Sequence, residues 1–146
     1  MIKLDTSDDR EIDYSQTKKN VAKWFDTEYS KYKRLANLPL LPSSALSLAP
    51  SRGTAHANSV EDRTVTRANA KQVLEFIDAV LDALDELHKK IIVGCFIDRL
   101  KGWKIAEMVG YSTTRFNELK IISAVEFAQM LDISAGTQLT AYKTEA

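Results

Sequence analysis

Residues 102–120, GWKIAEMVGYSTTRFNELK, read as two short amphipathic segments hinged at a single glycine. In the first segment Ile105, Ala106 and Val109 share one helical face, and Gly110 follows four residues after Ala106. A helix that closes with a left-handed residue favours glycine there, because a β-carbon is crowded in that conformation. Ser112 is then placed to cap the free amides of a second helix, whose inward face is Phe116 and Leu119. The small Ala106 lets the two helices cross closely, and Ile105, Val109, Tyr111, Phe116 and Leu119 are expected to fill the angle between them. This is the pattern of a helix-turn-helix, a unit whose second helix lies in the major groove of DNA.

A plain helical hairpin would account for the apolar positions alone. The outward face of the second helix favours the DNA reading. It carries Ser112, Thr113, Thr114, Arg115, Asn117 and Lys120. Arginine can grip guanine through two hydrogen bonds, and asparagine can do the same with adenine. Hydroxyls suit phosphates, and Lys101 and Lys104 on the preceding segment are placed to reach the backbone, where contacts position rather than specify. Glu118 interrupts this face; it is repelled by phosphate but can accept a bond from cytosine.

The chain has 146 residues, with 45% hydrophobic and 27% charged, which suits one globular domain plus an appendage. Twenty basic and twenty acidic residues leave no net charge, so nucleic-acid binding must rest on a local patch. Residues 88–131 hold seven lysines and arginines against four acids, whereas 37–87 hold four against seven. The neutral total therefore hides a modestly basic C-terminal module, whose affinity for DNA should be salt-sensitive.

Glycine is scarce, proline is confined to Pro39, Pro42 and Pro50, and there is no sustained alternating pattern. An all-α chain follows. A first helix is expected from Asp13, which can cap it with Gln16 reaching back. Along it Val21, Trp24, Phe25, Tyr29, Tyr32 and Leu35 recur at spacings of three and four among lysines. Such a mix suits an aromatic-basic nucleic-acid surface, but an amphipathic helix with a solvated lysine face explains it more simply. Residues 1–36 form this N-terminal segment, and the Ser/Pro-rich stretch 37–59 reads as a linker.

Residues 60–131 then hold a long helix and the helix-turn-helix. Ser59 is expected to cap the long helix, and Ala70, Val73, Ile77, Val80, Leu84 and Leu87 form a coiled-coil-like seam along it. That seam can pair with a second chain, giving a homodimer, or serve as this chain's own core. A further helix over 88–100 gathers Ile91, Ile92, Cys95, Phe96 and Leu100 on one face, where Cys95 reads as a buried, inert thiol. The tail 132–146 carries no pattern and is expected to be mobile, with Gly136 ending any helix that enters it. One cysteine excludes an internal disulfide, the N-terminus has no signal-peptide pattern, and the longest apolar run is too short for the ~20 residues of a membrane helix. A cytoplasmic protein without membrane attachment is expected.

Leu87 to Ala128, LHKKIIVGCFIDRLKGWKIAEMVGYSTTRFNELKIISAVEFA, resembles the C-terminal half of the ArpU family of phage transcriptional regulators. That region is similar in turn to the DNA-binding region four of bacterial sigma factors. The most specific part is W-x-I-A-x-x-x-G-Y-S (Trp103 to Ser112) with Leu119 and Lys120, and the likeness extends in outline to Ile12–Ala36 and Val60–Ala70. The resemblance implies double-stranded DNA and RNA polymerase as partners, and activation of late phage or prophage genes for packaging and lysis in a bacterial host. The sequence departs from the family in the recognition helix, where a further basic or aromatic residue is expected near Asn117 and Glu118.

No enzyme is expected, and no cofactor or metal. His56 and His88 are far apart, and there is neither a cysteine-histidine metal spacing nor a phosphate-cradling glycine loop. The competing function is a phage DNA-packaging or helical adaptor module that works through the long helix.

Overall fold

The computed structural model describes residues 11–39 and 55–143, and the side chains of 11–39 and 61–143. The protein is all-α. Its elements are α1 (Tyr14–Trp24), a π turn (Phe25–Tyr29), α2 (Ser30–Ala36), α3 (Ala55–Ala83), α4 (Glu86–Ile92), a second π turn (Val93–Ile97), α5 (Gly102–Val109) and α6 (Thr113–Ala135). Among the described residues there is no strand, only one isolated antiparallel bridge between Ile12 and Tyr142. Two compact units are present: Glu28–Ile77, and the described parts of Met1–Thr27 with Asp78–Ala146. This division cuts across the segments 1–36, 37–59, 60–131 and 132–146 expected from sequence.

In the larger unit α1 begins where Asp13 accepts the Gln16 amide at 3.0 Å. Gln16 does not reach back; its side chain donates forward to Asn20 at 2.9 Å. Val21 and Phe25 are fully buried, so the apolar stripe of α1 is core and its lysines are the solvated face. Each π turn places one phenylalanine at the centre of this packing. Phe25 stacks on Phe96 with ring centroids 5.3 Å apart and lies 5.1 Å from Phe127 of α6. Trp24 closes the group, 5.6 Å from Phe127. An extra residue in a helical turn shifts all later side chains around the axis, and here it brings rings from two π turns face to face. Beside them Asp26 pairs with Arg99. Arg99 takes a left-handed backbone, φ 57°, and Leu100 donates to the Gly94 carbonyl at 2.9 Å, so an arginine closes the second π turn where glycine is usual.

The tail differs most from expectation. Gly136 does end α6, with φ 72°. The residues after it are tied down rather than mobile. Asp132 accepts from Thr137 Oγ1 at 2.5 Å and from the Leu139 and Thr140 amides at 2.9 Å each. The chain then returns to α1. Asn20 donates to the Leu139 carbonyl, Ala141 donates to Thr17 Oγ1 at 3.0 Å, and Asp13 donates to the Ala141 carbonyl. Compositional blandness hid this, because backbone groups make most of the bonds. Asp132→Ala is expected to cost about 2–3 kcal/mol, since one carboxylate serves three donors. Urea unfolding measures the loss, and faster amide exchange at Leu139, Thr140 and Ala141 locates it.

α3 is already formed at Ala55, so Ser59 lies within it rather than capping it, and 55–59 of the expected linker are helical. Residues 40–54 of that linker lie outside the described residues. Within the smaller unit Lys31 pairs with Glu28 at 3.3 Å and Lys33 sits 5.9 Å from the Tyr29 ring. Of the seam, Ala70, Ile77, Val80 and Leu84 are buried within a single chain, with Leu81 beside them, while Val73 and Leu87 are half-buried. At the start of α4, Glu126 of α6 accepts the Asp85 amide at 3.0 Å and contacts buried His88 Nδ1 at 3.1 Å.

Candidate nucleic-acid interface

α5 ends as the glycine requires. Gly110 has φ 80° and ψ 30°, and both its amide and that of Tyr111 donate to the Ala106 carbonyl at 3.0 Å. Nothing lies within 4 Å of where a β-carbon on Gly110 would sit, so backbone conformation alone selects glycine there. Two residues later Ser112 caps α6, its Oγ accepting the Arg115 amide at 3.2 Å. The angle is filled by Ile91, Ile105, Ala106, Phe116 and Leu119, with Leu87, Cys95, Leu100 and Val109 packed against them. Tyr111, expected in this core, is 42% exposed instead. As the first residue beyond Gly110 it follows the turn outward.

Gly94 also shapes this angle, from within the second π turn. A β-carbon there would meet Ile105 Cδ1 and Cγ1 at 3.2 Å, so an alanine would require the Ile105 side chain to give by a few tenths of an ångström. A glycine inside an apolar helical run is the signal that could have found it. Cys95 is half-buried, and burial pushes its thiol pKa up while Lys120 and Lys18 pull it the other way. A raised pKa suits an unreactive packing residue.

The outward face is built from the first two turns of α6. Ser112, Thr113, Thr114, Arg115, Asn117 and Glu118 are exposed, while Ile121 and Ile122 are half-buried and bound the polar surface. Ser112 spends a lone pair on the cap but keeps its hydroxyl hydrogen. Lys101 and Lys104, at the start of α5, are exposed, and neither makes an ion pair among the described residues. Lys120 departs from expectation: it is half-buried, with Nζ 5.8 Å from the Phe96 ring, because position 120 falls on the flank of the buried stripe. Arg115 also is not free. Its Nη1 donates to Glu118 Oε2 at 2.7 Å, with both side chains about half exposed.

On the other side of α5 a cleft of about 440 Å³ runs against α4 and the second π turn, lined by Lys90, Val93, Gly94, Leu100, Ile105 and Met108 among others. Met108 is 67% and Trp103 61% exposed, the largest apolar side chains left uncovered on α5. Among the described residues no group of acids, histidines and cysteine is placed to hold a metal, and no helix is long and apolar enough to cross a membrane. No family model, curated protein or solved structure matches the chain.

Proposed function

We propose that the protein is a sequence-specific DNA-binding transcriptional regulator. One observation carries this reading: a short helix, closed by a left-handed glycine, is followed by a serine-capped helix whose first two turns expose only polar side chains. A solvated face is polar in any helix, so the support lies in which side chains it carries: an arginine and an asparagine able to bond base edges, beside hydroxyls suited to phosphate. Recognition helices meet base edges with their N-terminal residues, and here those are Thr113, Thr114, Arg115 and Asn117. Lys101 and Lys104, with the hydroxyl of Ser112, supply the phosphate contacts that fix register. The resemblance of Trp103–Ser112 and its surroundings to the ArpU regulators extends the proposal to late phage or prophage genes, activated together with RNA polymerase.

The adaptor alternative finds less support, since the seam it would use is buried at Ala70, Ile77, Val80 and Leu84.

The test is selection of bound duplexes from a random library with the purified chain, followed by footprinting. Arg115→Ala is expected to weaken binding to the selected site by about 1–3 kcal/mol and to relax preference at one base pair. Lys104→Ala should weaken binding to all sequences alike and lower the salt slope by about one. Unchanged binding by the Arg115 variant would remove arginine from base readout, and a chain that selects no sequence would remove the function.

A further inference from the structure

Resting on the DNA-binding reading, we propose that Glu118 is the specificity-positioning residue of the recognition helix, holding Arg115 in the orientation that reads guanine. The two residues are three apart, on the same face of α6, and joined by a 2.7 Å bond from Arg115 Nη1 to Glu118 Oε2. Both belong to the first two turns, where a recognition helix faces base edges. An arginine side chain alone has many rotamers, and fixing it on binding costs entropy. Glu118 fixes it beforehand.

The atoms used leave the reading edge intact. A guanidinium has five N–H donors in a planar fork. With Nη1 engaged by the carboxylate, the edge formed by Nε and Nη2 still presents two parallel donors, which match the O6 and N7 acceptors of guanine. Glu118 also cancels the charge that would otherwise draw Arg115 to any phosphate. The pair thus lowers sequence-independent attraction while favouring one base. This gives a role to the residue that looks least suited to a DNA surface.

The experiment compares the full chain with Glu118→Ala, Glu118→Asp and Arg115→Ala. Each is put through the same duplex selection, followed by titration of the selected site and of non-specific duplex at several salt concentrations. Residues 115 and 118 are exposed, and helical content by circular dichroism verifies that each variant is folded. Arg115→Ala identifies the base pair concerned. At that pair Glu118→Ala is expected to lose preference for guanine on the order of tenfold. The same variant should bind non-specific duplex more tightly, with a log–log salt slope steeper by about one. Glu118→Asp keeps the charge but not the reach, so it should lose the preference while keeping the parent's salt slope. Guanine preference equal to the parent's in both Glu118 variants overturns the proposal, as does a selected motif that Arg115→Ala leaves unaltered. If the parent selects a motif that depends on Arg115 but not on Glu118, the DNA reading stands and only the positioning role falls. If the parent enriches no sequence, both fall together.

Discussion

Phe116→Ala is expected to destabilise the chain by about 3–5 kcal/mol, a large part of the ~5–15 kcal/mol that holds a domain of this kind folded. The ring is 1% exposed and sits in the angle between α5 and α6 with Ile91, Ile105, Ala106 and Leu119. Its neighbour across the angle is a glycine: a β-carbon on Gly102 would come within 3.4 Å of Phe116 Cε2. No side chain at position 102 can lean into the space left behind, so the void should persist and the cost fall at the upper end. Urea denaturation of the two proteins measures the loss; under the proposed function, DNA affinity should drop with it, because α6 is no longer held against α5. Phe116→Leu fills most of the volume and should cost much less. Equal midpoints for the parent and the alanine variant would contradict the assignment of this ring to the core.

Phe25→Ala is expected to cost a similar ~3–5 kcal/mol, but with a different distribution. Phe25 is 1% exposed and lies against Phe96 and Phe127, with Trp24 at its edge 5.0 Å away. The residues filling the helix-turn-helix angle form a separate cluster. Amide exchange should therefore accelerate first in α1 and at 141–143, with α5 and the start of α6 following. Uniform acceleration throughout would show that the two clusters open as one.

Local signals were legible in the sequence. Gly110, Ser112 and Asp13 act on amides within a few residues of themselves, so turn and cap chemistry places them without knowledge of the rest of the fold. Ile105, Ala106, Phe116 and Leu119 were legible because helical period alone gathers them on one face. What escaped depends on distant partners. Neither π turn leaves a local mark, although each sets which phenylalanine turns inward. The left-handed backbone of Arg99 is held where its side chain meets Asp26, 73 residues away. The charge of Lys120 points outward, yet the residue lies at the border of the buried stripe, where a long apolar stem packs and only the ammonium group needs polar surroundings. The candidate site was thus readable in its outline from Ser112 to Asn117. Its key pairing was not, since Glu118 reads as an intruder until its bond to Arg115 is seen.

The return of the tail to α1 also sets a clock. Asn20 and Thr17 find their partners 119 and 124 residues later in the chain. At synthesis rates of about 5–20 residues per second, α1 waits roughly 6–25 s between emerging and being fastened. For most of that interval the faces of Val21 and Phe25 have no α6 to cover them. The aromatic stripe of α1 is therefore uncovered until Phe96 and Phe127 have been made, and the polar fastening by residues 139–141 comes later still.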